Sequence, residues 1–485
     1  MRASPSPRLI VSRTMVAAGL LLSLGLLLVS MQADSAVAQT GTASSVPSQS
    51  MSATPDAAPE PVPPRHPLVV RIMKWIFYGI IGLICVYLVR HWIFALNRVL
   101  GRQRHPYLDI DTAEWPAVTV LVPAHNEELV IADILEALTA VDYPRDRLRV
   151  IPVNDRSSDR TAEIIDHYAG LHPDLFHPFH RQEGQSGKSA ALGDAMELVH
   201  DDIVLVFDAD YIPGEGLLKQ LVAPFFDPEV GAVMGRVVPL NAAKNLLTRA
   251  LDMERSGGYQ VDQQARMNLH LVPQYGGTVG GVRKSAAEAV GGWNPHALAE
   301  DTDVTIRLLI GGWKTVYQNR SECYEQVPES WRARMGQIFR WARGHNQVLQ
   351  AYGGKVLRCR HLRFWERLDA LLLLNTYVMS LVLLIGWGLG IVLWYLGVLK
   401  ATLLIILAVT SYSTLGNFAL FFEIATATHL DGAHNRIRLL PFIMLGFIVT
   451  LMAVTRATLT QFLEWRRRDE VLWHKTERTE RRTAW

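Results

Sequence analysis

Cysteine is scarce in this chain: three in 485 residues, at Cys85, Cys323 and Cys359. They are odd in number, far apart and without metal-ligand spacing. That excludes a disulfide framework and a cysteine zinc site, and suits a reducing compartment. An excess of charge of either sign is also missing, because the formal net charge is +2. So balanced a chain carries no electrostatic footprint for nucleic acid, and no nucleic-acid partner is expected. Apolar residues are plentiful, at 49% of the chain, and the basic residues gather beside apolar runs. The length accommodates one large soluble domain and several membrane segments.

The N-terminus carries Arg2, Arg8 and Arg13, the uncharged run MVAAGLLLSLGLLLVSM, and then SAVAQ, with Ala36 and Ala38 spaced as a small-residue cleavage site. Residues 1–38 therefore read as a signal peptide or an uncleaved anchor. Residues 39–66 are rich in Ala, Pro, Ser and Thr, and are expected to be a disordered linker. A transmembrane helix is predicted over 68–98. Arg98, Arg102 and Arg104 follow it, and by the positive-inside rule they place the next domain in the cytosol. After that domain the chain turns apolar again over 371–463, with candidate spans at 371–398, 402–424 and 439–455. The continuation VTRATLTQFLEW reads as interfacial, and a basic tail closes the chain over 464–485. Three crossings would put that tail outside, whereas Arg466, Arg467 and Arg468 favour inside.

Residues 115–330 are soluble in character. VTVLVPA, VIPVND and DDIVLVFDAD are short apolar runs ending in polar residues, and helix-like stretches such as EELVIADILEALTAV follow. Such alternation predicts an α/β domain with a parallel sheet and a ligand at the carboxyl ends of its strands. Two acidic clusters fall at such ends, Asp155 and the pair Asp208 and Asp210; a third, the pair Glu300 and Asp301, follows the loop GGTVGG at 276–281. Acids at strand ends also cap helices. Two acids one residue apart after an apolar strand, however, repel unless a cation sits between them. Mg²⁺ or Mn²⁺ suits such oxygen ligands and brings a diphosphate with it.

PAHNEE (123–128), VNDRSSDRT (153–161), GKSAAL (187–192), DAD (208–210), ED (300–301) and QIFRW (337–341) occur in this order before membrane helices. In this the chain resembles the processive membrane glycosyltransferases of family 2, among them bacterial cellulose synthase, hyaluronan synthase and poly-N-acetylglucosamine synthase. The resemblance covers roughly residues 70–460. Arg156 and Arg160 stand where glycine is frequent, and the loop after Trp341 reads ARGHNQ.

The resemblance implies a GT-A-like, Rossmann-related cytosolic domain between N- and C-terminal transmembrane helices, in a bacterial-type inner membrane. Glu127, Asp155, Lys188, Asp208 and Arg340 would bind a UDP-sugar, with Asp210 and Asp208 holding Mg²⁺ or Mn²⁺. Asp301 would be the general base of an inverting transfer. Gln337 and Trp341, on interfacial helices spanning 331–365, would hold the acceptor together with Glu300, Gly277 and Thr278. The glycines of GGTVGG would let the backbone approach a sugar. The product implied is a β-linked polysaccharide, with glucose weakly preferred as the donor sugar. The growing glycan, the bilayer and an accessory export subunit are the expected partners. Two other readings stand beside this one: transfer of a single sugar to a lipid, and a receptor that binds nucleotide or glycan without turnover. The sequence after the last apolar run leaves no room for a c-di-GMP-binding domain, so such regulation would need a separate partner.

Overall fold

The computed structural model describes residues 67–105, 107, 114–414 and 421–464. The expected leader or anchor, the linker at 39–66 and the basic tail beyond residue 464 lie outside the described residues. The described chain forms two compact units, one of residues 67–99 and 382–414 and the other of residues 100–381 and 421–464.

The larger unit is built on an eight-stranded mixed sheet. Its strands are β1 Val118–Ala124, β2 Leu148–Asp155, β3 Phe179–Arg181, β4 Ile203–Val206, β5 Ile212–Pro213, β6 Val230–Pro239, β7 Gly280–Arg283 and β8 Lys314–Glu325, in the order β3-β2-β1-β4-β7-β6-β8-β5. The expected parallel sheet is found over β3-β2-β1-β4. Beyond β4 the expectation fails, because β7 runs antiparallel to both β4 and β6, and β5 antiparallel to β8. Both faces of the sheet are covered, so the strands read as continuous apolar runs whose alternate residues enter different cores. Ile203 and Leu205 join Ile134, Leu138 and Leu218 in one core. Val204 and Val206 join Leu192, Val304 and Leu308 in the other.

Register explains why distant motifs meet. β1, β2 and β4 are parallel, so the segments after Ala124, Asp155 and Val206 emerge on one edge of the sheet. The reversed β7 pairs Gly280 with Val206, which brings its entry loop, residues 276–279, to that same edge. Gly280 and Gly281 are needed for sheet packing. A Cβ on Gly280 would lie 2.2 Å from the Val233 carbonyl oxygen, and one on Gly281 would lie 2.5 Å from that of Val204.

Among the described residues, three helices are long and apolar enough to cross a membrane: Pro67–Leu100, Val378–Tyr395 and the window Leu445–Leu463 of the Leu440–Glu464 helix. The predicted 371–398 run is divided between the helices Phe364–Asn375 and Val378–Tyr395. The predicted 402–424 run covers Ala401–Thr414 and the start of Phe421–Leu430, with residues 415–420 outside the described residues. VTRATLTQFLE continues the Leu440–Glu464 helix, and Trp465 lies outside the described residues.

Candidate active site

The loops after β1 and β2 are tied to one another by short polar bonds. The Asn126 amide N–H donates to Ser157 Oγ at 2.9 Å and that of Glu127 to Thr161 Oγ1 at 2.8 Å. Ser158 N–H in turn donates to Asn126 Oδ1 at 2.7 Å, and both Asn126 and Arg156 sit in the left-handed region. Asp155 ends β2 nearly buried. Its Oδ1 accepts from Arg181 Nη1 at 2.6 Å and Arg156 Nε at 3.0 Å, while its Oδ2 accepts the Gly187 N–H at 3.1 Å. Arg181 is itself buried and also donates to Asp194 Oδ2 at 2.6 Å. Asp155 thus organises the loops of this edge, and Arg156, where glycine is frequent, is one of its two cationic partners.

Lys188 starts the helix Lys188–Ala195 and reaches across the edge. Its Nζ lies 2.7 Å from Asp208 Oδ1 and 3.0 Å from Glu300 Oε1, and donates to the Gly277 carbonyl at 2.9 Å. Burial opposes the ammonium charge, but Asp208 and Glu300 outweigh it and hold the Lys188 pKa well above its ordinary value. Gly277 adopts φ +73°, and a Cβ there would lie 3.0 Å from both Asp301 Cβ and Glu300 Oε1. Thr278 Oγ1 accepts the Asp208 N–H at 3.0 Å. Gly277 and Thr278 therefore hold Lys188 and Asp208 in place from the loop before β7.

β4 ends at Val206, so Asp208 and Asp210 lie in the turn beyond the strand rather than at its end. Tyr211 N–H closes that turn on the Asp208 carbonyl at 3.0 Å. Behind it, Tyr211 Oη donates to Glu325 Oε2 at 2.8 Å, and Glu325 pairs with Arg255 at 2.6 Å. Two carboxylates in one turn offer only hard oxygen ligands, which fits Mg²⁺ or Mn²⁺ and not a soft metal.

Asp301 lies in the first turn of the helix Glu300–Ile310, partly buried. Its Oδ1 accepts the Thr302 N–H at 2.6 Å. Desolvation and the neighbouring Glu300 charge push its pKa up to about 7, against smaller opposing contributions from Thr302 and Lys188. A carboxylate balanced near neutrality is suited to taking up a proton and giving it back. Glu300, by contrast, is engaged by Lys188.

Gln337, Arg340 and Trp341 lie on one helix, Trp331–Arg358, capped by Ser330 Oγ accepting the Ala333 N–H at 3.2 Å. This helix includes ARGHNQ, so the expected loop after Trp341 is helical. Gln337 Oε1 accepts from Arg334 Nη1 at 2.8 Å. The Trp341 indole has the guanidinium groups of Arg255 and Arg334 at 5.2 Å and 5.4 Å from its ring centroid. Burial lowers the Arg340 pKa from its usual value. The helix packs along Leu440–Glu464, with Ile338, Ala342, Ala453, Val454 and Ala457 in one cluster and Asn346 Nδ2 donating to Thr458 Oγ1 at 3.1 Å. The helix bearing Trp341 is thereby fixed to a helix apolar enough to span a bilayer.

Several neighbours of the site carry no sequence signal: Arg181, Tyr275, Thr302, Arg255 and His345. Their roles come from contacts between residues tens of positions apart. The charge-balancing role of Lys188 gives a direct test. In Lys188→Met, Asp208 and Glu300 lose their shared cation. The stability loss falls below the roughly 3–5 kcal/mol of a fully buried pair, because the Asp208 side chain keeps 30% exposure and water screens it. The same change removes a charge that lowers the Asp301 pKa, so its midpoint moves above about 7. Denaturant unfolding and the pH–rate profile measure the two effects.

Residues 116–344 match the family described as glycosyltransferase like family 2. A probable glycosyltransferase YdaM of Bacillus subtilis is 36% identical over 252 residues, covering 52% of this chain and 60% of that protein. A beta-monoglucosyldiacylglycerol synthase of Synechocystis is 33% identical over 295 residues, covering 60% of this chain and 58% of its own length. The chain thus spans about three fifths of the curated relatives it matches. In fold it is similar to the mannosyltransferase PcManGT of Pyrobaculum calidifontis, solved with GDP-Man and Mn²⁺, at a TM-score of 0.56 and 22% identity over 82% of this chain and 100% of that one. With the GT-A sheet and the ordered motifs in place, residues 116–344 belong to the glycosyltransferase like family 2.

Proposed function

We propose that the chain is an inverting glycosyltransferase that moves a sugar from a UDP-sugar to a hydroxyl acceptor beside the membrane. The observation that carries this reading is Asp301, a carboxyl poised at about 7 and placed one residue from the Glu300–Lys188–Asp208 cluster. In this reading Asp301 takes the acceptor hydroxyl's proton as that oxygen attacks the anomeric carbon from the face opposite UDP. Glu127, Asp155, Lys188 and Asp208 orient the donor, and Arg340 faces its diphosphate as a fixed cation. Asp210 and Asp208 are the residues to hold Mg²⁺ or Mn²⁺, which when bound neutralises charge on the leaving diphosphate.

The product proposed is a β-linked polysaccharide. Gln337 and Trp341 form its acceptor platform with Glu300, Gly277 and Thr278, and the helices beside them give it a route across the inner membrane. The catalytic domain is then cytosolic, and glucose is the preferred donor sugar. Two observations favour the second reading, in which a single sugar goes to a lipid: the similarity to a beta-monoglucosyldiacylglycerol synthase, and an indole at Trp341 already accompanied by two guanidinium groups.

UDP release by the purified protein in detergent, with a panel of UDP-sugars and Mg²⁺ or Mn²⁺, tests both. Release with one donor, abolished by EDTA and restored by the cation, is expected. A glycosidase-digestible polymer selects the first product and a chloroform-soluble glycolipid the second. Absence of turnover with every donor, despite nucleotide binding, contradicts the enzyme reading.

A further inference from the structure

His345 is a buried residue of the Trp331–Arg358 helix that the reaction above does not use. It sits four residues beyond Trp341, and its ring lies 4.7 Å from that of Tyr377, centroid to centroid. Its Nε2 is 3.1 Å from Thr302 Oγ1. The same hydroxyl accepts from Gln274 Nε2 at 2.9 Å and donates to Asp301 Oδ1 at 3.3 Å. A hydroxyl has one proton and two lone pairs. With its proton on Asp301, both lone pairs of Thr302 are taken, one by Gln274 and the other by an N–H on His345 Nε2.

The opposite tautomer would put a proton on His345 Nδ1, which is buried and has no hydrogen-bond partner among the described residues. A buried donor without an acceptor is costly, so the network selects the Nε2–H form. Burial also lowers the His345 pKa to about 4, which keeps the ring neutral.

We infer that His345, in its Nε2–H form, is a positioning residue that holds the Thr302 hydroxyl on Asp301 Oδ1, so that Oδ2 is the oxygen that receives the acceptor's proton. This rests on the reading of Asp301 as the base. It also joins the helix of the Gln337–Arg340–Trp341 motif to the base through one directed chain of hydrogen bonds: His345 to Thr302 to Asp301. Glu300, Lys188, Tyr259, Tyr275 and Tyr377 are the other titratable groups facing Asp301. Of these, Tyr377 is the one whose ring also packs against His345.

The test is steady-state UDP release by the full chain, with donor and acceptor varied, for His345→Leu, His345→Gln, Thr302→Val, Thr302→Ser and the Leu/Val double variant. His345→Leu and Thr302→Val each lower kcat about 10- to 100-fold, the effect of losing a hydrogen bond to a charged group, and leave the donor KM unchanged. The acid limb of their rate profiles moves to higher pH, because the ionised carboxylate has lost a donor. Gln, which keeps a neutral N–H donor, and Ser, which keeps the hydroxyl, each recover most of the rate. The double variant is no slower than Thr302→Val alone.

Wild-type kcat in both Leu and Val variants, with Asp301→Asn inactive, overturns the relay and leaves the base reading standing. An active Asp301→Asn overturns the base and the relay together. A His345→Gln protein that melts like wild type yet is as slow as His345→Leu also overturns the relay. If His345→Leu fails to fold, the Thr302→Val and Thr302→Ser pair decides by the same criteria.

Discussion

Asp301→Asn is expected to lower kcat by about three orders of magnitude, within the 10²–10⁴ range of a lost general base, while UDP binding persists. Asparagine has the size of aspartate and keeps an oxygen for the Thr302 N–H, so the helix Glu300–Ile310 retains its first turn. What disappears is the ability to accept a proton. The wild-type profile adds an independent signature. A base works only when ionised, and the Asp301 pKa is pushed up to about 7 by desolvation and then by Glu300. The rate therefore rises with pH through about 7, rather than levelling off near pH 4 as with an ordinary carboxylate. The same shift sets the sign for stability. Between about pH 4 and 7 the unfolded chain ionises this carboxyl and the folded one resists, so its contribution to folding falls as pH rises through that window. Turnover of Asp301→Asn within a few-fold of wild type, or a flat rate from pH 5 to 8, would remove Asp301 from the base position.

Strand-end acids, the lysine of GKSAAL and the order of the motifs were legible in the sequence because each is local: an apolar run, a turn and a charged residue within ten positions. Three strands of the sheet, β1, β2 and β4, followed from the same runs. The reversal of β7 did not, because GGVR has none of the β-branched alternation that marks a strand. Its glycines are explained only by the Val204 and Val233 carbonyls against which they pack. The partners of the candidate site were hidden for a different reason. Arg181 meets Asp155 across 26 positions and His345 meets Thr302 across 43, so their chemistry exists only once the chain has folded. Nothing in the sequence sets His345 apart from the other fifteen histidines or says which hydroxyl it holds. ARGHNQ is helical rather than a loop, and the close packing around Gly344 gives the reason for that glycine.

Gly344→Ala is expected to slow turnover about a hundredfold, the cost of misplacing a reacting group by about 1 Å, although alanine is the better helix former by about 1 kcal/mol. A Cβ at position 344 would lie 2.5 Å from Ala299 Cβ, 2.8 Å from the Ala299 nitrogen and 3.1 Å from the Leu298 carbonyl carbon. Two of those three atoms are backbone, which cannot rotate aside. The segment 298–299 must therefore move, and it leads directly into Glu300 and Asp301. Gln347 restrains that movement, because its Oε1 accepts the Leu298 N–H at 3.1 Å and its Nε2 donates to the His296 carbonyl at 3.1 Å. The methyl group thus pushes on a turn that is tied to the same helix, and the strain passes to Asp301. Gly354→Ala separates this effect from helix propensity: the same helix has nothing within 4 Å of a Cβ there. That variant gains up to about 1 kcal/mol of stability and keeps its kcat. Adding Ala299→Gly to Gly344→Ala removes the closest contact and restores part of the rate, a coupling that independent sites would not show. A Gly344→Ala protein with wild-type kcat would mean that the turn carrying Asp301 yields without moving its carboxylate.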